Sequence, residues 1–321
     1  MTAFLRGDHL IASTPANDSL SLDAQVQASI DDFADHLAAT EWIMSLGDRA
    51  TAPLCRYLRE GAQVVPHGRL FAVSMLARLH SPAAREGLRA VLYDTSLRQF
   101  PDSRREAEYQ VKDAVIRHLM AHVYPERLTD AAYAVREERL PSAVAMAGRL
   151  GLSSLAPVLV GMLQDDVLER ASADSLEILG AQGEAAILQG LPALFESADT
   201  SARSRLGLLR ALLLLHRMHA SLPLSSVKRA LADRHAAIRA AGALFLDRPA
   251  DACLVELIHG ALSDCMPLAE SCRKQLTWSD GDFADEASEA LRRNAEPDIY
   301  GNLHPLRSEA IRWLNVRLDN A

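Results

Sequence analysis

Apolar side chains recur at helical spacing along this chain, in units that repeat at a nearly constant interval. That periodicity constrains the fold more than any other feature. Positions three and seven residues after a start form one face of a helix. Starts at His36, Arg69, Glu108 and Ala143 put Ala39/Ile43, Ala72/Leu76, Val111/Val115 and Met146/Leu150 on such a face. Starts at Glu169, Arg205 and Arg239 add Ser172/Leu176, Leu208/Leu212 and Gly242/Leu246. Successive starts lie 33, 39, 35, 26, 36 and 34 residues apart. A breaker and a second amphipathic run follow, as at Gly47 before 51–58, Ser81-Pro82 before 83–92, Gly151 before 152–163 and Leu222-Pro223 before 224–231. A helix cannot bury an apolar face by itself, so each pair needs neighbours of its own kind.

The cleanest copy is 226–263. Asp233 is the expected N-cap of its first helix, with Ala237, Ala241 and Leu244 on one face, flanked by Ile238 and Phe245. Asp247-Arg248-Pro249 breaks the run, and Pro249 opens a partner with Leu254, Leu257, Ile258, Ala261 and Leu262 inward. Aromatic residues are only 5% of the chain, and strand signals are absent. The expected fold is therefore all-α: a right-handed α-solenoid of about seven helix pairs. Residues 1–22, without periodicity, are read as a flexible acidic arm and 23–264 as the array. Residues 265–321 are read as a helical cap ending in an amphipathic helix with Ile311, Leu314 and Leu318.

Arg69-Leu70-Phe71-Ala72…Leu76…Leu79 and Asp233…Ile238-Arg239-Ala240-Ala241 resemble the first helix of HEAT repeats, especially the short bacterial, phycobilisome-lyase-like kind. The resemblance covers roughly 28–264. It implies the solenoid and a curved binding surface, and it carries little about chemistry. The third pair departs from the pattern, with Tyr109, Lys112 and His118 where a regular repeat is apolar.

Charge is unevenly spread over the net −8. Residues 1–48 carry −7, 49–149 carry +5 and 150–321 carry −6; fifteen of the sixteen basic residues in the middle block are arginine. Second helices line the concave face of a HEAT-like stack, which puts Arg56, Tyr57, Arg59, Arg85, Arg89, Arg127 and Arg136 there. The functional reading is a docking surface for a protein or an acidic peptide segment. The plainer reading is a solvated face with ordinary ion pairs such as Arg85 with Glu86 and Arg89 nearby. The acidic balance argues against nucleic acid as partner for the whole chain.

His118 and His122 stand four apart on one predicted helix, a spacing that brings two imidazoles to one metal, yet no third ligand follows from the sequence. His216 and His219 form a similar weak pair. Cys253, His259, Cys265 and Cys272 are too widely spaced for a zinc site and read as buried thiols. Asp280, Asp282, Asp285 and Glu286 lack the EF-hand pattern and read as helix-start acids. Trp42 and Trp313 read as core. No nucleophile elbow, P-loop or dinucleotide fingerprint occurs.

Four cysteines and no visible secretory signal fit a cytoplasmic protein; the most apolar run, 206–218, is split by Arg210 and too short to span a bilayer. The expectation is a non-catalytic scaffold or adaptor without cofactor or metal, binding a partner along the concave face. The alternatives are an enzyme or chromophore-lyase-like tailoring protein on the same fold, and nucleic-acid binding through the basic first half.

Overall fold

The computed structural model describes residues 20–32, 36–60, 66–95, 102–246 and 251–277. Every regular element among them is a helix; none is a strand. Contacts divide the chain into two compact units, the first ending at Asp130 and the second starting at Ala131. This division falls inside the stretch that the sequence reads as one array. The arm over 1–22 lies almost wholly outside the described residues, as do the Asp247–Pro249 turn, Asp280, Asp282, Asp285, Glu286, Trp313 and the final helix.

Unit 1 contains α1 (Leu22–Asp31), α2 (His36–Leu46), α3 (Thr51–Glu60), α4 (Pro66–Leu79), α5 (Pro82–Leu92) and α6 (Asp102–Met120). α7 (Arg127–Tyr133) begins in it. The positions picked by periodicity are the ones buried: Ala39 and Ile43 on α2, Ala72 and Leu76 on α4, Val111 and Val115 on α6. Each large side chain so buried, Ile43 for instance, contributes about 1.5–3 kcal/mol by leaving water. Alternate helices lie side by side, with α2, α4 and α6 in one row and α1, α3 and α5 in another. Side-by-side rows follow from helices joined by short turns, each apolar on the side facing its chain neighbours. Ser21 caps α1 by accepting from the Ala24 N–H at 3.3 Å. Ser81 caps α5 by accepting from the Ala84 N–H at 3.2 Å, with Pro82 in the first turn.

The irregular third pair has a physical reason. α6 carries a buried polar face: Glu108 forms an ion pair with buried Arg69 of α4. On the same helix the Lys112 ammonium donates to the Asp94 carbonyl at 2.7 Å. A tight ion pair is what makes two charges tolerable at such depth.

Unit 2 contains α8 (Pro141–Ala147), α9 (Ala156–Met162), α10 (Glu169–Ile178), α11 (Ala181–Ala198), α12 (Ala202–Arg217), α13 (Leu224–Leu231), α14 (Ala236–Ala243), α15 (Asp251–Ala261) and α16 (Met266–Thr277). Packing again runs between near neighbours in the chain: α8 with α10, α9 with α11, α11 with α12, and α14 with α12, α13, α15 and α16. Partners on several sides explain why α14 buries Ile238, Ala240, Ala241 and Ala243 rather than a narrow stripe. Asp233 is not the N-cap of this helix. That position is His235, and Asp233 accepts from the His235 N–H at 2.7 Å, closing a short side-chain turn just ahead of the helix. On α15, Leu257, Ile258, Ala261 and Leu262 are buried as expected, while the Leu254 side chain lies outside the described residues.

The first helices share a way of stopping. Gly47, His80, Gly151, Gly180 and His219, which follow α2, α4, the α8 turn, α10 and α12, all have left-handed φ between 53° and 66°. This conformation lets the chain turn back after a helix, and glycine is its ordinary occupant. Histidine holds it twice.

Close helix contact fixes Gly148. The Ser175 hydroxyl on α10 accepts from the Gly148 N–H at 3.2 Å and donates to the Val144 carbonyl at 2.6 Å. A Cβ at residue 148 would stand 2.6 Å from the Ser175 carbonyl oxygen, which is backbone and cannot swing away. Gly148→Ala is expected to destabilise unit 2 by about 1–3 kcal/mol, the usual range for overpacking. Hydrogen exchange in α8 and α10 would read the loss.

Candidate functional site

The arginine-rich first half is organised by one carboxylate. Asp130, in the first turn of α7, is 0% exposed. Arg89 donates to it twice, through Nε at 2.8 Å to Oδ2 and through a terminal nitrogen at 3.3 Å to Oδ1. The Tyr93 hydroxyl donates to Oδ1 at 2.6 Å and the Tyr124 hydroxyl to Oδ2 at 3.0 Å. Four donors on two oxygens satisfy a charge that would otherwise be prohibitive to bury. Burial and the adjacent carboxylate push the Tyr93 phenol up to about 12 and raise that of Tyr124 as well, so both stay protonated as donors. The Arg89 guanidinium is held above its ordinary value, first by its hydrogen bonds to Asp130.

Tyr124, fixed in this way, is the platform for Arg85, whose guanidinium carbon lies 5.4 Å from the ring centroid. Beside Arg85 is a hollow of about 270 Å3 formed by the end of α4, the start of α5 and the end of α6. Leu76, Leu88 and Leu119, all buried, form its floor. His80, Ser81, Arg85, His118 and His122 supply its polar wall, and Val123, 88% exposed, stands at the edge. The His80 and His122 rings meet edge to face, with centroids 4.9 Å apart. Half-buried His118 has its imidazole held below the ordinary value of 6.5, first by burial and then by Arg117, His122 and Arg78.

The residues expected on the docking surface have different environments. Arg56 pairs with Asp23, and Arg59 donates to the Cys55 carbonyl of its own helix at 3.3 Å. Tyr57 is buried, its hydroxyl donating to Asp31 at 2.8 Å. Arg89 is committed to Asp130 and also takes Glu86, at 3.1 Å, so the ion pair expected between Glu86 and Arg85 goes to Arg89 instead. Arg127 donates to the Met120 carbonyl at 2.6 Å, capping the end of α6. Arg136 belongs to unit 2, exposed on a single π turn, Ala134–Glu138. Arg85 is the arginine of the set that faces the hollow.

α6 ends at Met120, so His118 is on the helix and His122 in the turn after it, not both on one helix as expected; the two still line one hollow, with His80 beside them. Even so, no group of three or more metal-ligating side chains among the described residues is arranged to hold an ion. His216 packs edge to face on Phe245 with centroids 5.8 Å apart, and His219 holds a left-handed turn. Cys55, Cys253, Cys265 and Cys272 are free thiols; of the three expected to be buried only Cys272 is, Cys253 and Cys265 being partly exposed, and burial pushes Cys55, Cys253 and Cys272 up, away from the reactive thiolate. His80, Tyr93, Tyr124 and Asp130 were not singled out by sequence. His80 alone left a signal there, since it stands just before Ser81-Pro82 as Gly47 stands before its own second helix.

Three outcomes are expected. Asp130→Ala strands Arg89 and removes the acceptor of two buried phenols, so it should destabilise unit 1 by about 3–5 kcal/mol, read by denaturation and by hydrogen exchange in α5 and α6. His80→Gly relieves the left-handed strain and should stabilise the unit by up to about 1 kcal/mol. His118 binds its proton less readily in the folded than in the unfolded chain. Its contribution is therefore present above the unfolded value of 6.5 and is lost as the pH falls through the lower folded value. Denaturation midpoints of unit 1 should drop over that window, and less steeply in His118→Gln. Comparison with protein-family models, with curated proteins and with solved structures finds no match for this chain.

Proposed function

We propose that the chain is a non-catalytic α-solenoid of HEAT-like helix pairs that binds a protein or an acidic peptide segment along its concave face. The observation that carries this reading is Arg85. It is held on Tyr124 beside an apolar-floored hollow, and no carboxylate among the described residues reaches it. Within unit 1 the second helices α3 and α5 lie side by side, which puts exposed Arg56 and Arg59 on the same row as Arg85. Cations on neighbouring helices, with an apolar-floored hollow beside Arg85, suit an extended acidic segment interspersed with apolar residues. Among the described residues no helix is long and apolar enough to cross a membrane.

Fluorescence anisotropy of the full chain with a labelled peptide of alternating Glu and Leu, against the same peptide with Lys for Glu, tests this reading. The acidic peptide should bind in strong preference. Its affinity should fall by an order of magnitude or more from about 0.1 M to about 1 M salt, where the screening length shrinks from about 10 Å to about 3 Å. Equal binding of the two peptides, or none, would overturn the proposal.

A further inference from the structure

The hollow at the end of α4 is more specific than a basic surface. Its wall holds four nitrogen-bearing side chains, His80, Arg85, His118 and His122, with the Ser81 hydroxyl between them. Among the described residues no carboxylate lies within ion-pair reach of those four. The neighbouring acids are engaged elsewhere: Glu86 and Asp130 with Arg89, and Asp113 with Arg117 at 2.8 Å. The floor is aliphatic. At about 270 Å3 the hollow is below the usual range for drug-sized ligands, so it has room for one side chain or chain end. A wall of one guanidinium and three imidazoles over a leucine floor matches an apolar group that carries a carboxylate at one end.

We propose that this hollow binds the C-terminal carboxylate of a partner chain whose last residue is apolar, with Arg85 and the imidazoles on the carboxylate and Leu76, Leu88 and Leu119 under the side chain. The proposal rests on the peptide-binding reading and names the group that reading would recognise. His80 enters the hollow from the left-handed residue that ends α4, at a φ of 53°, with its ring edge to face on His122.

The arrangement makes binding pH-dependent. His118 faces Arg78 on α4 and His80 just after it, Arg85 on α5, Arg117 on its own helix and His122 in the turn that follows, and Asp113 pairs with Arg117. A carboxylate placed in this field favours the protonated form of His118, so binding takes up a proton there and tightens as the pH falls.

The test is calorimetry on the full chain with acetyl-Ser-Gly-Ser-Leu, its C-terminal amide and inorganic phosphate as probes. The acid is expected to bind at least tenfold more tightly than the amide, and to tighten severalfold as the pH falls from about 7 to below about 6. Arg85→Gln should weaken the acid about tenfold, with Arg85→Lys recovering part of it. His122→Gln, at an exposed position, should weaken it, and His118→Gln should flatten the pH dependence. The proposal fails if acid and amide bind alike, or if Arg85→Gln and His122→Gln leave affinity unchanged. Inorganic phosphate binding as tightly as the acid would overturn the chain-end assignment in favour of a free oxyanion. A chain that binds acidic peptides yet ignores this acid leaves the broader reading standing and removes only the pocket.

Discussion

The Asp130 carboxylate is the constraint on which the first unit depends. A charge with no exposed surface must be answered by donors in fixed positions, and here those donors come from α5 and from the segments that follow α5 and α6. Arg89, Tyr93 and Tyr124 therefore have little freedom. The orientation of Tyr124 passes on to Arg85, which lies over its ring, and through Arg85 to the hollow. A buried charge is poor evidence of net stability, since apolar residues of similar volume often serve as well. What this one provides is a single geometry for a group of long, flexible side chains.

The same logic explains the irregular α6. Its buried Glu108 and Lys112 disturb the apolar pattern, and each meets a partner supplied by another segment, Arg69 on α4 or the Asp94 carbonyl after α5. Polar groups in a core are tolerated only where geometry answers them, so they mark the place where helices are held in one register. The pair that deviates most from the repeat also contributes His118, Leu119 and His122 to the hollow. Regularity accounts for the architecture, and the departures from it accumulate around one pocket.

Charge distribution was a weaker guide than helix pattern. The excess of arginine over 49–149 is plain from the sequence, but the number available to a partner is smaller. Arg69, Arg89 and Arg127 serve internal contacts, and Arg56 has Asp23. A guanidinium serves equally well as a buried clamp, a helix-end cap or a surface cation, and neighbours in sequence do not say which. Glu86 illustrates this: adjacent to Arg85, it pairs with Arg89 three residues on, because successive residues on a helix point about 100° apart.

By itself the sequence determined the helices and most of their buried faces. Ala39/Ile43, Ala72/Leu76, Val111/Val115 and Leu208/Leu212 are all buried, since helical periodicity is a local property that a window of ten residues contains. It also marked several helix boundaries, through Ser81-Pro82, Gly47 and Gly151, with Asp233 misread because a side-chain turn and an N-cap use the same residue types. Only the tertiary structure decided the rest. The four donors to Asp130 come from positions up to 41 residues away, and the meeting of His80 with His122 joins the end of one helix to the end of another. Such encounters depend on which helices lie side by side, and no local pattern records that.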